Sequence, residues 1–130
     1  MDSAILRGLP FFSDLDESEV ELLARNADEV SLGEGRDIVR EGDFSYDLFV
    51  IVDGAAEVRR EGSAVATLGP GDFFGEAGVI GKGLRNASVT TTAPTRLVTL
   101  NHWDVKRLRN EIPQLIERME QAMEQRSGDE

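Results

Sequence analysis

The stretch GDFFGEAGVIGKGLRNASV, residues 71–89, places one glutamate and one arginine at opposite ends of a glycine-rich loop. Gly75 and Gly78 let the backbone come close to a bound molecule. A short helical turn after Glu76 would direct its first N–H groups at an anion, and Arg85 adds a planar, permanently charged set of donors. Because Glu76 is itself an anion, it is suited to accept hydrogen bonds from hydroxyl groups. The loop therefore predicts a site for a ligand that carries both a phosphate and a sugar.

Short apolar runs separated by turn signals lie on both sides of this loop. The Asp53–Gly54 pair is a strong signal for a β-hairpin between the runs that flank it. Strands this short, with turns at close intervals, are typical of an antiparallel jelly roll or barrel. We therefore expect a mainly β fold, an eight-stranded antiparallel β-roll over about residues 28–100. The apolar runs are residues 30–32, 37–40, 48–52, 55–60, 64–68, 87–92 and 95–100.

A helix signal precedes this β region. Asp16 is followed three residues later by Glu19, as in a capping box. Apolar residues then recur at helical spacing with charged residues between them. The pattern predicts an N-terminal helix over about residues 16–26.

Two further helices are expected after the β region, over about residues 102–126. Asn101 is a suitable N-cap for the first, and Pro113 suits the first turn of the second. We expect Trp103 to anchor the first of these helices to the β-roll rather than to stack on a ligand. The second helix carries an apolar stripe, which consists of Leu115, Ile116, Met119, Ala122 and Met123.

The composition limits the class of protein. The length of 130 residues and the hydrophobic content of 40% fit one globular domain, residues 1–130. A net charge of −11 argues against nucleic acid or an anionic membrane as a partner. The N-terminus lacks the basic start and long apolar run of a signal peptide, and the longest apolar run, residues 48–52, is too short to cross a bilayer. We expect a cytoplasmic chain.

An enzymatic or metal site is not expected. The chain has no cysteine and one histidine, His102, which we interpret as a surface residue early in a helix. No serine stands in a recognisable arrangement with a histidine and a carboxylate, and the loop lacks the spacing of an ATP-binding P-loop. The sequence thus favours a binding module without metal or cofactor.

The loop and its surroundings resemble a known family. Residues 74–80, FGEAGVI, followed by residues 85–89, RNASV, are similar to the phosphate-binding cassette of cyclic nucleotide-binding domains. That family includes the catabolite activator protein, regulatory subunits of cyclic-nucleotide-dependent kinases and cyclic-nucleotide-gated channels. Other matches lie in the same order along the chain, at residues 9–12, 40–43, 48–54 and 68–74. The resemblance covers about residues 6–126 and implies the β-roll of this family, with the cassette at residues 74–89.

The resemblance also implies roles for individual residues. Arg85 would pair with the phosphate oxygens of the cyclic nucleotide, and Glu76 would accept from the ribose 2′-hydroxyl. Arg126 and Met123 would form a lid over the base, with a solvated Arg126 near the helix end as the alternative. The remaining contacts would come from the backbone at Gly75, Ala77, Gly78, Asn86 and Ala87.

The ligand and the output follow from the same resemblance. In this family a small residue after the arginine accompanies cAMP preference and a threonine often accompanies cGMP preference. Asn86 stands there, its amide could bond to guanine, and we expect cAMP over cGMP. Binding would move the C-terminal helix and an effector module, either covalently linked or separate, that this chain does not contain.

The alternative is an interaction module of the same fold with weak or lost nucleotide binding. Ala77 and Asn86 favour it, because the family often has leucine or methionine at the first position and a small residue or threonine at the second. A homodimer or a partner would then use the apolar stripe of the last helix.

Overall fold

The computed structural model describes residues 2–9, 12–40, 42, 47–74, 87–118 and 121, and eight strands lie within this part of the chain. Helices α1 (Ser3–Arg7) and α2 (Glu17–Asn26) precede the strands, and α3 (His102–Glu111) follows them. Residues 113–118 are helical as well. The strands are β1 (Asp28–Leu32), β2 (Asp37–Val39), β3 (Leu48–Asp53), β4 (Ala56–Arg60), β5 (Ser63–Leu68), β6 (Phe73–Phe74), β7 (Ser88–Thr91) and β8 (Thr95–Leu100). The predicted mainly β fold, with helices at both ends, is confirmed.

The strands form two antiparallel four-stranded sheets. The first sheet has the order β1-β8-β3-β6, and the second has the order β2-β7-β4-β5. Only β4 and β5 are consecutive along the chain and paired with each other, through the turn at Glu61–Gly62. Every other connection between successive strands therefore passes from one sheet to the other.

The predicted hairpin at Asp53–Gly54 is wrong. A tight turn does lie there, with Gly54 at a φ of +102°. However, β3 pairs with β6 and β8, whereas β4 pairs with β5 and β7. An Asp-Gly pair specifies a local backbone conformation, and it does not determine which strand each neighbour pairs with. The turn at Gly54 joins the two sheets.

The central strands of the first sheet are buried on both faces, which explains why β3 is apolar without alternation. Leu48 and Val50 pack among the helices, in a core that also contains Val98 and Leu100 of β8. Ile51 points the other way, into a smaller core between the sheets. A strand covered on both sides reads as a continuous apolar run, because neither face is left to water.

Local caps define the helices. In α2, the Asp16 carboxylate accepts from the Glu19 N–H at 2.9 Å and the Glu19 carboxylate accepts from the Asp16 N–H at 2.9 Å, which confirms the predicted capping box. Asn101 caps α3 by accepting from the Asp104 N–H at 2.9 Å. Asp2 caps α1, a five-residue helix that the sequence reasoning did not anticipate.

Trp103 does not anchor α3 to the β-roll, so this prediction is wrong. Its side chain is 69% exposed. Val105, Leu108 and Ile112, spaced three and four residues apart, form the buried side of this region. Trp103 precedes Val105 by two positions and therefore lies on the opposite side of the helix.

Candidate functional site

The predicted ligand-binding loop joins the two sheets. Its first flank, β6, belongs to the first sheet and pairs with β3, while its second flank, β7, belongs to the second sheet. Phe74, the last residue of β6, is buried and stacks on Phe49, with ring centroids 5.2 Å apart and planes at 18°. The loop thus starts from an anchored aromatic residue at the seam between the sheets.

The second flank is equally well anchored. Ala87, the predicted site residue directly before β7, is 8% exposed. In β7, Val89 lies between Val39 of β2 and Val58 of β4 in register, and it is buried between the sheets. The backbone that leaves the loop is therefore held by two neighbouring strands.

A buried threonine fixes the far end of β7. The Thr91 hydroxyl accepts from the Arg36 N–H at 2.8 Å and donates to the Gly33 carbonyl at 2.7 Å. The Thr91 backbone also accepts from the Gly35 N–H and donates to the Arg36 carbonyl, both at 2.9 Å. These four bonds tie β7 to the turn between β1 and β2. Sequence reasoning missed Thr91, because nothing distinguishes it within the run Thr90-Thr91-Thr92.

A second buried threonine fixes the start of β8. The Thr95 hydroxyl lies 2.9 Å from the Ala93 carbonyl and accepts from the Ala55 N–H at 3.3 Å. The Thr92 N–H donates to the Ala55 carbonyl at 2.9 Å. The turn after β7 is thereby bonded to the turn after Gly54, so the β3–β4 and β7–β8 connections are held together.

Apolar side chains at the end of the roll where β7 begins face the space between the sheets. Val58 and Leu68 belong to the core between the sheets but are only half-buried. Ala66 pairs with Val58 in register, so it lies on the same face, and it is exposed. This end of the roll presents a shallow apolar surface that the described residues leave partly uncovered. Such a surface suits a flat, apolar group such as a nucleobase.

A separate polar groove of about 400 Å³ lies on the outer face of the second sheet. Thr90, opposite in direction to Val89, donates to Asp37 at 2.7 Å, and Arg59 pairs with Glu57 at 3.0 Å. These charged groups already satisfy one another, and the groove faces away from the space between the sheets. It is not the predicted ligand site. Its lining is Asp37, Glu57, Arg59, Gly62, Ser88, Thr90 and Thr92.

Ion pairs link three neighbouring strands of the first sheet. Arg96 of β8 lies 2.6 Å from the Asp53 carboxylate and 3.2 Å from the Glu29 carboxylate. The hydrogen bond and charge of Asp53, followed by the charge of Glu29, raise the pKa of Arg96 above its ordinary value. These exposed pairs hold β1, β8 and β3 in register and lie outside the predicted site.

Most of the predicted site residues lie outside the described part of the chain. This holds for the cassette residues Gly75, Glu76, Ala77, Gly78, Arg85 and Asn86, and for the lid residues Met123 and Arg126. Of the predicted contacts, Ala87 is described, and it is buried directly before β7. His102 is the first residue of α3. Within the described ranges, no group of three or more histidine, cysteine, aspartate or glutamate side chains is arranged to hold a metal.

The apolar stripe of the last helix is not available as a dimer seam at two of its positions. Leu115 and Ile116 are buried in the same core as α2 and the first sheet. Side chains that already pack inside their own chain cannot also form an interface. The other members of the stripe, Met119, Ala122 and Met123, lie outside the described residues. Across the part of the chain that is described, no helix combines the length and apolarity needed to span a bilayer.

Comparison with known proteins agrees with this architecture. The family described as cyclic nucleotide-binding domain matches residues 29–111. The cAMP-dependent protein kinase regulatory subunit of Schizosaccharomyces pombe is 33% identical over 106 residues, which cover 81% of this chain and 26% of the relative. The cyclic AMP receptor protein of Thermus thermophilus is 28% identical over 113 residues, which cover 83% of this chain and 52% of the relative.

The fold leads to the same group. The crystal structure of the Thermus thermophilus catabolite activator protein superposes with a TM-score of 0.79 at 28% identity, covering 91% of this chain and 57% of that one. The chain thus spans between about a quarter and a half of the length of these relatives. Because the family match includes all eight strands except the first residue of β1, and continues through α3, the chain belongs to the cyclic nucleotide-binding domain family.

Proposed function

We propose that this chain is a regulatory domain that binds cAMP between its two sheets and transmits occupancy through its C-terminal helix. The observation that carries the proposal is the position of the loop flanks. Phe74 ends β6 of the first sheet, Ala87 directly precedes β7 of the second sheet, and both are buried. Val58 is next to Val89 of β7 in register and belongs to the apolar surface between the sheets. We propose that the loop between the two flanks holds its ligand beside this surface. A phosphate and a ribose bound by that loop would leave the base beside the apolar surface.

In this proposal, Arg85 and Glu76 bind different parts of the nucleotide. Arg85 compensates the charge of the cyclic phosphate, which would otherwise be held by a chain of net charge −11. Glu76 accepts from the ribose 2′-hydroxyl. Backbone N–H groups complete the contacts, at Gly75, Ala77, Gly78, Asn86 and Ala87. Met123 and Arg126 form the lid over the base.

The preference for cAMP over cGMP is supported by the two relatives whose names refer to cAMP. Asn86 is the residue to test, because its amide is the group that could bond to a guanine. We propose that the domain itself is a binding module and that any enzymatic activity belongs to an effector linked to it or bound by it.

Contacts of residues 113–118 indicate how occupancy could be transmitted. Arg118 pairs with Asp14 at 2.6 Å, and Gln114 donates to the carboxylate of Glu19, which also caps α2. These polar contacts, together with the buried Leu115, hold the segment against α2. We propose that ligand binding shifts the chain after Pro113 and weakens or strengthens these contacts. For such a shift, cAMP must bind more tightly to the domain when the segment is in one position than when it is in the other.

Calorimetry with cAMP, cGMP and 5′-AMP tests the binding site. We expect saturable binding of cAMP, weaker binding of cGMP, and little binding of 5′-AMP. Arg85→Ala removes the cation that compensates the phosphate, at a cost of about 2–5 kcal/mol, so the affinity falls at least tenfold. Arg40→Ala is the matched control, since Arg40 is 71% exposed and pairs with Asp37 three residues away. Equal affinity of the Arg85→Ala variant and the wild type would rule out the assigned role of Arg85.

Amide hydrogen exchange tests the transmission step separately. With saturating cAMP, we expect slower exchange within residues 114–126, because the last helix would then cap the base. Strand β8 should show little change and serves as the internal reference. Binding without any change in residues 114–126 would reject the helix movement and leave the binding site intact.

A further inference from the structure

The surface of α3 carries the chain's single tryptophan. Trp103 is 69% exposed, although a packed tryptophan is among the most strongly buried side chains on average. Val105 and Leu108 already supply the core side of this helix. Trp103 is therefore not required for packing in the core, and its position calls for a different explanation.

Basic side chains flank Trp103 on the same side of the helix. The Lys106 ammonium lies 5.7 Å from the centre of the indole ring. The Arg107 guanidinium donates to the Asn26 side chain of α2 at 2.7 Å, which orients it. With Asn110, these residues occupy positions i, i+3, i+4 and i+7, and all four are exposed. We call these four residues the Trp103 face.

The charge of this face is opposite to that of the chain as a whole. The net charge is −11, yet the Trp103 face holds two cations and no carboxylate. Within the described residues, Lys106 and Arg107 form no ion pair. Asp104, the acidic residue of the same turn, accepts from the Asn101 N–H at the helix N-terminus.

We propose that the Trp103 face is a docking surface for a short acidic segment of a protein partner. Carboxylates of the segment would pair with Lys106 and Arg107, and an apolar side chain would pack on Trp103. Tryptophan and arginine are the side chains most often responsible for binding energy at protein interfaces. The proposal is independent of nucleotide binding.

The size of the charged area favours a peptide over nucleic acid. Nucleic-acid binding draws on many phosphate contacts spread along a basic surface. Here two cations lie on one face of an acidic chain. An extended polyanion bound there would be repelled by the acidic surface around these two cations. Two or three carboxylates match this small area.

Fluorescence of Trp103 provides the test, because no other tryptophan contributes to the emission. The probe is the blocked peptide Asp-Glu-Phe-Glu-Asp-Leu, titrated to millimolar concentration at low salt. We expect a saturable change in emission, absent with the basic peptide Lys-Arg-Phe-Lys-Arg-Leu. The double variant K106E/R107E keeps the tryptophan and should bind the acidic peptide at least tenfold more weakly. Circular dichroism establishes that the variant is folded.

Arg40→Glu is the matched control, since it reverses an exposed charge directly after β2, outside α3. Its peptide affinity should stay close to that of the wild type. An acidic peptide that leaves the emission unchanged overturns the proposal, as does equal binding by K106E/R107E. A short oligothymidine that binds while the peptide does not overturns it in favour of nucleic acid. Emission that depends on protein concentration alone overturns it in favour of a second copy of the chain.

Discussion

The two sheets of this domain differ in how completely their strands are buried. In the first sheet, β8 alternates between the helical core and the core between the sheets, and four of its six residues are buried. In the second sheet, five of the six residues of β5 are exposed. The central strands of the first sheet, β8 and β3, therefore form a platform covered on both sides, whereas its edge strand β1 is exposed. The second sheet offers an incompletely covered surface next to β7, the strand that follows the predicted ligand loop, and a rigid scaffold beside such a surface suits a binding site.

The contrast between the sheets is sharpest for buried and exposed apolar side chains. Leu97→Ala in β8 removes a side chain enclosed between the sheets, and we expect it to lower the free energy of unfolding by about 2–5 kcal/mol. Val65→Ala in β5 is the matched change. Val65 is 53% exposed, so its truncation should change stability by no more than about 0.5 kcal/mol. Urea denaturation of both variants measures the difference.

The slope of each urea transition serves as the control for that comparison. An unchanged slope shows that the midpoints report stability alone. Equal losses in the two variants would mean that the second sheet is packed as completely as the first.

The crossing between the sheets can be broken at one glycine. Gly54 has a φ of +102°, and an added Cβ would lie 2.4 Å from the Thr95 hydroxyl and 2.5 Å from the Pro94 carbonyl. Gly54→Ala therefore combines backbone strain of about 1–2 kcal/mol with an overpacking cost of about 1–3 kcal/mol. Gly62→Ala is the control, because Gly62 has a φ of +80° and nothing within 4 Å of the added Cβ. It should show the strain cost alone.

Thermal unfolding of the two glycine variants separates these contributions. A larger loss in Gly54→Ala measures the contact between the turns that join the sheets. Similar losses in both variants would show that those turns can move apart without cost, so that the crossing is not a fixed point of the roll.

The smallest expected effect concerns Asp16, the N-cap of α2, a helix that packs in the same core as the first sheet. The Glu19 N–H, followed by the Ser18 hydroxyl, lowers the pKa of Asp16 below its ordinary value of 3.8. The ionised form is therefore favoured in the folded state. Its contribution to stability is present above the unfolded pKa and is lost as the pH falls through the lower, folded pKa.

Asp16→Asn keeps a capping oxygen and removes the titration. When the pH is lowered from about 5 to about 3, we expect the urea concentration at the midpoint of unfolding to fall more for the wild type than for this variant. A parallel loss in both proteins would show that other carboxylates account for the acid sensitivity.

Much of the fold was predictable because it depends on local chemistry. The capping pairs Asp16–Glu19 and Asn101–Asp104 determine where α2 and α3 begin, and each pair acts within one turn. The apolar runs located seven of the eight strands to within a few residues, and the two-residue strand β6 was not predicted. The short helix α1 was missed because five residues carry little periodicity, and its stability comes from Leu6 packing in the core.

The site could be predicted only as a loop. Glu76 and Arg85 were selected by their chemistry and by the resemblance, and their roles stay predictions. What could not be predicted is the support around the loop, above all Thr91, whose four bonds join it to residues more than fifty positions away. No local pattern encodes such a contact.

By itself, the sequence determined the mainly β architecture, the starts of α2 and α3, and the family, because periodicity, capping and short motifs act within a few residues. Only the tertiary structure decided that Asp53–Gly54 joins two sheets instead of closing a hairpin, and that Trp103 faces outward while Leu115 is buried. The physical reason is the same in each case. Strand partners and helix faces are chosen by the burial of apolar surface between distant segments, and a local pattern does not contain the identity of the other segment.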